Sequence, residues 1–411
     1  MGNKKTPEVQ FLGFTGGWKQ KPLTELVERV IRKNNKLEST LPLTISAQYG
    51  LVDQETFFNK KVASTNLQGY YLLYKGEFAY NKSYSNGYPL GAVKRLEKYD
   101  KGVLSSLYIC FRPLNSGTSD FLKHYFESTA WHKEVSMISV EGARNHGLLN
   151  ISVNDFFETL HTIPTLEEQK KIGDFFKQLD DTIALHQQEL TTLKQTKQGF
   201  LQKMFPKEGE SVPEVRFPGF TGEWMERELK EISILITKGT TPADKSWEGT
   251  IKYIKTDSIN LINGNIENTS RISKEEHEGN LKRSKLEVND ILFSIVGTLG
   301  RVGVVKEKDL PANTNQQICI IRLSEGDINF IFTALKTHSI EKFIKSDATI
   351  GAQPSISLWQ MEALKVPYPQ FEEQTQIGNF FKQLDDTIAL HQRELDVLKE
   401  TKKACLQKMF V

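Results

Sequence analysis

Apolar residues recur at alternating steps of four and three along two segments of this 411-residue chain, residues 167–205 and 372–410. The alternation predicts a long helix with one continuous apolar seam in each segment. Sustained over more than four heptads, it is typical of a coiled coil, so the two helices are predicted to pair, most simply antiparallel. The seam positions are Ile172, Phe176, Leu179, Ile183, His186, Leu190 and Leu193, then Ile377, Phe381, Leu384, Ile388, His391, Leu395 and Leu398.

The two helical segments are almost the same sequence. At an offset of 205 positions, 29 of their 39 residues are identical. A shorter stretch, residues 7–18, recurs as residues 213–224 with 9 of 12 positions unchanged. The regions between these repeats, 27–150 and 233–350, show almost no similarity to each other. The chain is therefore a tandem duplication in which repeated segments flank two regions of different sequence.

Two histidines interrupt the apolar seam. Antiparallel pairing is expected to place His186 and His391 in adjacent central layers, each opposite a leucine. Polar seam residues specify the register of a helix pair, and that is the interpretation favoured here. No metal site is predicted, since no further ligands accompany the two histidines.

Both variable regions mix short apolar runs with turn residues. The first predicts strands at 70–74 and 103–111 and a helix at 118–134 capped by Ser119 or Asp120. The second predicts a strand, a turn and a strand at 290–305, another strand at 317–323 and a helix at about 328–345. The order of elements is the same in both halves, which indicates two copies of one α+β fold.

The predicted fold class is α+β. Two tandem globular α+β domains are separated by two long helices that form an antiparallel coiled coil, with pseudo-two-fold symmetry. The segments are residues 1–165 for the first conserved stretch and variable domain, 166–205 for the first helix, 206–370 for the second stretch and domain, and 371–411 for the second helix.

Composition narrows the class of protein. No apolar run approaches the roughly 18 residues that a membrane span needs, so no membrane partner is expected. Three scattered cysteines without a paired spacing favour a reducing cytoplasm over a disulfide framework or a structural zinc site. Residues 27–150 carry 16 basic and 11 acidic side chains, whereas residues 233–350 carry 16 and 15. The first excess is compatible with a nucleic-acid partner.

Four phrases of the sequence carry a family resemblance. RFPGFTGEW (216–224), ILFSIVGTLGRVGVV (291–305), GAQPSISLWQMEALKVPYP (351–369) and EEQTQIGNFFKQLDD (372–386) resemble DNA-specificity (S) subunits of type I restriction-modification systems. The resemblance covers nearly the whole chain and the order of its parts. It departs in the first half, where GARNHGLLNIS (142–152) stands in place of GAQPSIS.

The resemblance implies that each variable domain is a target-recognition domain reading one half of a bipartite asymmetric DNA site. The helices would set the spacing and dock two methyltransferase subunits, and restriction/translocase subunits would join for cleavage. Cofactors would belong to those partners: S-adenosylmethionine to the methyltransferase subunits, and ATP with Mg²⁺ to the restriction subunits. None is expected in this chain.

Residue type and position select candidates for DNA contact, because base edges are read mainly by Arg, Lys, Asn, Gln, Ser and Thr on loops. The candidates in the first domain are Lys60, Lys61, Lys82, Tyr84, Asn86, Lys94, Arg95, Arg144, Asn145 and His146. Those in the second are Lys238, Thr240, Thr241, Thr298, Arg301, Asn313, Asn315, Gln316, Gln317, Gln353 and Ser355. Lys282, Arg283 and Lys285 are better suited to phosphate contact or to plain surface.

No catalytic residues are predicted. The chain lacks the N/D-P-P-aromatic tetrapeptide and the Gly-rich loop of an amino-methyltransferase, and it has no phosphate loop, HExxH or GxSxG. The aspartate pairs Asp180–Asp181 and Asp385–Asp386 are predicted on the exposed side of the helices. Two alternatives stay open: a fused methyltransferase with drifted motifs, which a methyl-transfer assay on the purified chain detects, and a coiled-coil scaffold that reads no DNA, which a gel-shift titration detects.

Overall fold

The computed structural model describes residues 5–85, 87–139, 149–349 and 353–411. The chain divides into two compact units: unit 1 comprises Met1–Leu185 with Asp396–Val411, and unit 2 comprises His186–Leu395. Each unit therefore contains the first part of one long helix and the last part of the other. No helix within the described ranges combines the length and the apolar character needed to cross a membrane.

Short strands and helices build unit 1 up to its long helix. The strands are β1 (Lys19–Pro22), β2 (Val27–Arg29), β3 (Leu43–Ser46), β4 (Gly50–Asp53), β5 (Tyr71–Tyr74), β6 (Phe78–Asn81), β7 (Ala92–Arg95), β8 (Lys101–Leu104), β9 (Ile109–Pro113) and β10 (Leu160–Ile163). The helices are α1 (Gln54–Phe58), α2 (Ser119–Glu127), α3 (His132–Ile138), α4 (Val153–Glu158) and the long α5 (Leu166–Lys203), which continues into unit 2.

Unit 2 repeats this plan with different residues. Its strands are β11 (Met225–Glu228), β12 (Ser233–Lys238), β13 (Ile251–Ile254), β14 (Ser270–Ile272), β15 (Ile291–Ser294), β16 (Val302–Val304), β17 (Ala312–Thr314), β18 (Ile318–Leu323) and β19 (Lys365–Tyr368). Its helices are α6 (Lys274–Glu278), α7 (Ile328–Ala334), α8 (His338–Asp347), α9 (Leu358–Glu362) and the long α10 (Phe371–Lys408), whose end lies in unit 1.

The main sheets of the two units have matching topology. Unit 1 has the strand order β2-β9-β6-β7, and unit 2 has β12-β18-β15-β16. A two-stranded antiparallel ladder closes each unit, β1 with β10 and β11 with β19. The predicted pair of α+β domains is confirmed, and the strand order matches in the main sheets. The smaller sheets differ, since unit 1 has the pairs β3-β4 and β5-β8 and unit 2 has the three-stranded sheet β14-β13-β17.

Most predicted elements are present, but several are shorter than expected. The strand predicted at 103–111 is divided into the end of β8 and the start of β9 by a turn at 105–108, and the helices predicted at 118–134 and about 328–345 are each two helices. The first break lies at Ser128, whose hydroxyl donates to the carbonyl oxygen of Tyr125 and accepts from the N–H of Ala130. The predicted caps Ser119 and Asp120 are wrong, since Thr118 precedes the first helical residue and makes no side-chain cap.

The repeated stretches 7–18 and 213–224 fasten helix ends. In unit 1, the N–H of Val9 donates to the carbonyl oxygen of Lys408 at the end of α10 (3.1 Å). In unit 2, the N–H of Val215 donates in the same way to Lys203 at the end of α5 (2.8 Å). Carbonyls in the last turn of a helix have no partner within the helix, so each stretch supplies one from outside.

The same stretches also bind the beginning of a long helix. In unit 1, Gln10 and the Trp18 indole donate to the Glu168 carboxylate, at 2.7 and 3.3 Å. In unit 2, Arg216 forms a bidentate pair with Glu373 at 2.7 and 2.8 Å, and the Glu373 side chain is 1% exposed. Each stretch therefore joins two helix ends that the antiparallel arrangement brings into one unit.

The long helices pack antiparallel within each unit. In unit 1, the Phe176 and Phe410 rings stack with centroids 5.7 Å apart, and Ile172 and Cys405 belong to the same core. In unit 2, Phe200 and Phe380 meet edge to face at 5.1 Å. All fourteen seam positions predicted from the sequence are buried or half-buried.

Asp180 lies at a half-buried ionic contact between the helices of unit 1. Lys402, Lys123 and His124 each place a nitrogen within 3.0 Å of its carboxylate. Burial raises the pKa of Asp180, but the hydrogen bonds from these three groups outweigh it and hold that pKa well below its usual range. Asp181 is exposed as predicted, whereas the prediction that Asp180 is exposed is wrong.

Asp385 repeats this contact in unit 2. It is 5% exposed and pairs with Lys197, and Lys336 follows at 3.7 Å. Burial and the neighbouring Lys197 charge lower the pKa of Lys336 to about 7, so Lys336 is a weak second counter-charge. The prediction that Asp385 is exposed is also wrong, because its side chain points toward Lys197 on the opposite helix.

Removing Lys197 should destabilise unit 2 strongly. A buried carboxylate that loses its partner keeps its desolvation cost, so we expect Lys197→Met to cost about 3–5 kcal/mol. Lys402→Met should cost less than half of that, since Asp180 keeps Lys123 and His124. The measurement is the shift of the urea unfolding midpoint, followed by circular dichroism.

Lys382→Met is the matched control. Lys382 pairs with Asp386 at 2.9 Å on the same helix, but both side chains are about half exposed (48% and 50%). Exposed pairs of this kind contribute only about 0.3–0.5 kcal/mol, so the control should unfold almost as the unchanged protein does. Equal midpoints for Lys197→Met and Lys382→Met would contradict the ionic contact's role.

Candidate nucleic-acid interface

One edge of the main sheet in unit 2 gathers four loops. β12 and β15 end at this edge and β16 and β18 begin there, as the antiparallel register shows: Lys238 lies opposite Cys319, and Ser294 opposite Ile318. The loops are residues 239–250, 295–301, 315–317 and 353–356. We call them the loop edge of unit 2.

Backbone hydrogen bonds hold the first and third loops together. The N–H of Gly239 donates to the carbonyl oxygen of Ile318 (3.1 Å), and the N–H of Thr240 donates to that of Thr314 (2.9 Å). A Cβ at position 239 would lie 2.2 Å from the carbonyl oxygens of Thr314 and Asn315. The close approach therefore requires glycine at 239.

The second and fourth loops are linked in the same way. The N–H of Gly297 donates to the carbonyl oxygen of Pro354 (3.0 Å), and that of Ile356 donates to Ile295 (2.9 Å). Ile295 in turn donates to the carbonyl oxygen of Gln317 (2.8 Å), which joins this pair of loops to the first pair. The loop edge is thus one connected surface rather than four independent segments.

Nine of the predicted DNA contacts in the second domain lie on this edge or at its border with side chains that are exposed or half-exposed. Asn315 and Gln317 orient each other through an amide hydrogen bond of 3.0 Å, and the Ser355 hydroxyl bonds to that of Thr349 at 2.8 Å. The nine are Lys238, Thr240, Thr241, Thr298, Asn315, Gln316, Gln317, Gln353 and Ser355.

Asn313 is a structural residue. It is fully buried, its amide donates to the carbonyl oxygen of Leu281 (2.9 Å), and its side-chain oxygen lies 2.5 Å from Nδ1 of His277. The structure therefore contradicts its place among the surface contacts. The reason is that all three residues of β17, in which it lies, are buried and the strand is paired with β13.

Arg301 is turned inward as well. Its guanidinium donates to the carbonyl oxygens of Thr256 and Ile259, at 3.1 and 3.5 Å. The side chain thus fixes the 256–259 turn rather than extending outward from the hairpin. This geometry favours a positioning role for Arg301 over the DNA contact predicted from the sequence.

Three further basic residues were predicted as phosphate contacts or plain surface. Arg283 donates to the Thr240 hydroxyl at 3.3 Å, which places its guanidinium beside the loop edge, and Lys282 is exposed next to it. Lys285 is paired with Glu278 at 2.5 Å. Arg283 and Lys282 therefore supply positive charge at the border of the edge.

Unit 1 has the equivalent edge. β2 and β6 end there and β7 and β9 begin there, and the described residues of the loops include 82–85, 87–91, 105–108 and 149–151. The N–H of Leu149 donates to the carbonyl oxygen of Lys82 (2.9 Å), and the Lys82 ammonium donates to that of Ile151 (3.0 Å). Ile151 and Ser152 correspond to Ile356 and Ser357, so the two divergent loops rejoin at the same point of the fold.

Placement of the first-domain candidates is uneven. Tyr84 is 59% exposed on the loop edge of unit 1, and Lys60 and Lys61 are exposed in the loop after α1. Asn86, Arg144, Asn145 and His146 lie outside the described residues.

Lys94 and Arg95 are on the other end of the sheet. Arg95 pairs with Glu97 and Asp120, both at 2.8 Å, and is 13% exposed. Burial lowers the pKa of Lys94. Both residues sit opposite the beginning of β6 rather than its end, away from the loops that a DNA backbone could follow.

Two features of the loop edges were not predicted from the sequence. The Lys255 ammonium lies 3.5 Å from the centroid of the Trp247 ring, a cation–π contact at the end of the 239–250 loop. Arg29 is exposed at the end of β2 in unit 1. The available signal for the first was the tryptophan in the glycine- and proline-containing loop KGTTPADKSWEG (238–249), with Lys255 eight residues after that tryptophan. The sequence contained no comparable signal for Arg29.

This arrangement defines a class of protein. Each of its two α+β units has a loop edge of polar and basic groups and contains parts of both repeated long helices. The family model of the type I restriction modification DNA specificity domain matches residues 16–195 and 221–400. The chain belongs to this family. It is the DNA specificity subunit of a type I restriction-modification system.

Comparisons with individual proteins agree with this family assignment. The chain is 24% identical over 313 residues to the specificity subunit of the type I restriction enzyme MjaVIII from Methanocaldococcus jannaschii, covering 74% of this chain and 72% of that one. It is 28% identical over 255 residues to the EcoBI specificity subunit from Escherichia coli, covering 57% and 53%. The crystal structure of a type I S subunit from M. genitalium shares the fold, with a TM-score of 0.63, 17% identity and 99% of both chains covered.

Gly239→Ala should loosen the loop edge of unit 2. The added methyl group cannot fit beside the two carbonyl oxygens at 2.2 Å, so the 239–250 loop must separate from residues 314–317. We expect a loss of about 1–3 kcal/mol and faster amide exchange at Thr240. Urea denaturation and hydrogen exchange by mass spectrometry measure both effects.

Gly69→Ala provides the comparison. A Cβ at Gly69 meets no atom within 4 Å, so its effect should stay within about 0.5 kcal/mol. If Gly239→Ala behaved like Gly69→Ala in both measurements, the proposed contact between the two loops would be wrong.

Proposed function

We propose that each unit reads one half of a bipartite, asymmetric DNA site through its loop edge. This proposal rests on one observation: the main sheets of the two units have the same strand order, but the residues of their loop edges are unrelated. A symmetric DNA site would need the same loop residues in both units, whereas an asymmetric site with two unlike halves needs different loop residues. The exposed Lys, Thr, Asn and Gln side chains are of the types that contact phosphates and base edges.

Partner subunits would carry out the chemistry. Because the chain has no methyltransferase motif, methylation of an adenine in each half-site would be performed by two methyltransferase subunits holding S-adenosylmethionine. Cleavage would require restriction/translocase subunits that use ATP and Mg²⁺. This chain would determine which DNA sequence is recognised and the spacing between its two halves, and it would not be an enzyme itself.

The exposed faces of the long helices support docking of two copies of one partner. Seam packing explains why buried positions are identical in the two repeats, but it does not explain identical exposed positions. Leu185 in unit 1 is 55% exposed, and its counterpart Leu390 in unit 2 is 50% exposed. An exposed leucine kept in both copies, beside the exposed Asp181 and Asp386, fits a repeated protein-binding surface.

Gln316→Ala should relax recognition at one base position. If its amide reads a base edge in the major groove, the loss is about 1–3 kcal/mol at that position, and the other half-site is read unchanged. Lys238→Ala should instead weaken binding to all sequences alike and reduce the salt slope by about one. Binding of the assembled methyltransferase complex to a panel of single-base DNA variants at several salt concentrations separates the two.

Gln20→Ala is the control, since Gln20 is an exposed glutamine on β1, in the ladder that β1 forms with β10. It should leave the sequence preference unchanged. A uniform loss of affinity for Gln316→Ala would reassign Gln316 to the DNA backbone. A preference untouched by any loop-edge substitution would overturn the proposed reading surface.

Lengthening both helices should lengthen the unread gap in the site. Four residues inserted after Thr192 and four after Ala389 fall between the His186–His391 contact and the Lys197–Asp385 pair in both helices. They add about 6 Å of helix and turn the seam to within about 40° of its original direction, which a coiled coil tolerates. The half-site sequences should stay the same while the gap widens by about one or two base pairs.

Two-residue insertions at the same places form the control. They rotate the seam by about 200°, so the apolar positions no longer face each other and assembly should fail. The gap is measured by sequencing methylated DNA from cells carrying the altered subunit. An unchanged gap with altered half-site bases would show that the helices are not the spacer.

A further inference from the structure

Two histidines and two glutamates meet near the middle of the helix pair in unit 2. His186 and Glu189 are three residues apart on α5, and their repeat counterparts His391 and Glu394 are three apart on α10. The two imidazole centroids are 5.9 Å apart, so the prediction that each histidine faces a leucine is wrong. No further ligands beside the histidines were predicted from the sequence. In the structure, the paired helices place Glu189 and Glu394 next to them.

The four side chains point at one another without forming ordinary hydrogen bonds. His186 Nδ1 lies 3.8 Å from a Glu394 oxygen, and His391 Nδ1 lies 3.7 Å from Glu189 and 3.9 Å from Glu394. Both Nδ1 atoms are buried and have no hydrogen-bond partner among the described residues. Two buried ring nitrogens are thus left unsatisfied in the same cluster, an arrangement that costs stability unless something binds them.

The separations suit a small divalent cation. Ligand atoms of His186, Glu189 and His391 all lie within 4.8 Å of one another. Two ligands at about 2.1 Å from a tetrahedral ion are roughly 3.4 Å apart, given the Zn–N and Zn–O lengths in proteins. The histidine–glutamate gaps of 3.7–3.9 Å and the wider separations of up to 4.8 Å would have to close to that value by side-chain rotation, and Glu394, which lies within 3.9 Å of both histidines, would have to turn in with them. Imidazole with carboxylate is a donor set that zinc accepts.

We propose that His186, Glu189, His391 and Glu394 form a binding site for one zinc-class divalent ion that clamps the two long helices. Each helix contributes a His-x-x-Glu pair, whose members share one face because residues three apart are neighbours on a helix. Paired side chains on facing helices are a common way to build a metal site in a helix bundle. An ion here would fix the register of the helices at a point where the apolar seam is interrupted.

Zinc titration of the metal-free chain tests the proposal. After treatment with a chelator and its removal, equilibrium dialysis against ZnCl₂ should show one ion bound per chain, and zinc should raise the thermal unfolding temperature. Replacing zinc by Co²⁺ should give visible absorption bands of a four-coordinate site without the thiolate charge-transfer band that cysteine ligands would add. The double variant His186→Gln, His391→Gln should lose the bound ion, the temperature shift and the cobalt bands.

Glu189→Gln keeps the proposal testable if the histidine variant folds poorly. The Glu189 side chain is 44% exposed, so its amide should be tolerated, and zinc binding should weaken at least tenfold. His338→Gln is the matched control: His338 and Glu341 form the same His-x-x-Glu pair, 3.5 Å apart, on the single helix α8. It should leave binding unchanged. No zinc uptake by the unaltered chain, or equal uptake by the double histidine variant, overturns the site.

Discussion

A duplicated ionic contact between the two long helices is the constraint on which the rest of this structure depends. Asp180 receives Lys402 in unit 1, and Asp385 receives Lys197 in unit 2. These four residues are related by the internal repeat, and each pair joins the first part of one helix to the last part of the other. An apolar seam alone allows a helix pair to slide by one heptad, whereas a buried carboxylate must meet its lysine or remain uncompensated. The contact therefore selects one antiparallel register.

Antiparallel packing has a direct consequence for how each unit is built. The end of α10 is part of the core of unit 1, and the end of α5 is part of the core of unit 2. The repeated stretches then fasten those ends, Val9 to Lys408 and Val215 to Lys203. The frame is thus fixed twice by the same residues, whereas side chains such as Thr241, Thr298 and Gln316 on the loop edge of unit 2 are exposed. Exposed side chains of this kind are free to differ between the two units, as the proposed reading of an asymmetric site requires.

The sequence predicts elements that depend on neighbours along the chain and fails where partners come from other elements. The seam of α5 and α10 and the strand at 318–323 follow from local periodicity. Asp180 was assigned to the exposed side because its partners, Lys123 and His124 on α2 and Lys402 on α10, are remote in sequence. Asn313 looked like part of a polar surface run, but His277 and Leu281 enclose it. Residue type directed attention to the loops of the loop edges, although the inward turn of Arg301 could not be predicted in this way.

We propose that this chain determines the DNA sequence at which a methyltransferase complex acts. Methylome sequencing tests this in a host that lacks other type I systems and carries the partner subunits with and without this chain. One split motif, with two unlike halves and a fixed gap, should become methylated at adenine in each half only when the chain is present. Methylation that is absent, or that shows the same motif without the chain, would contradict it.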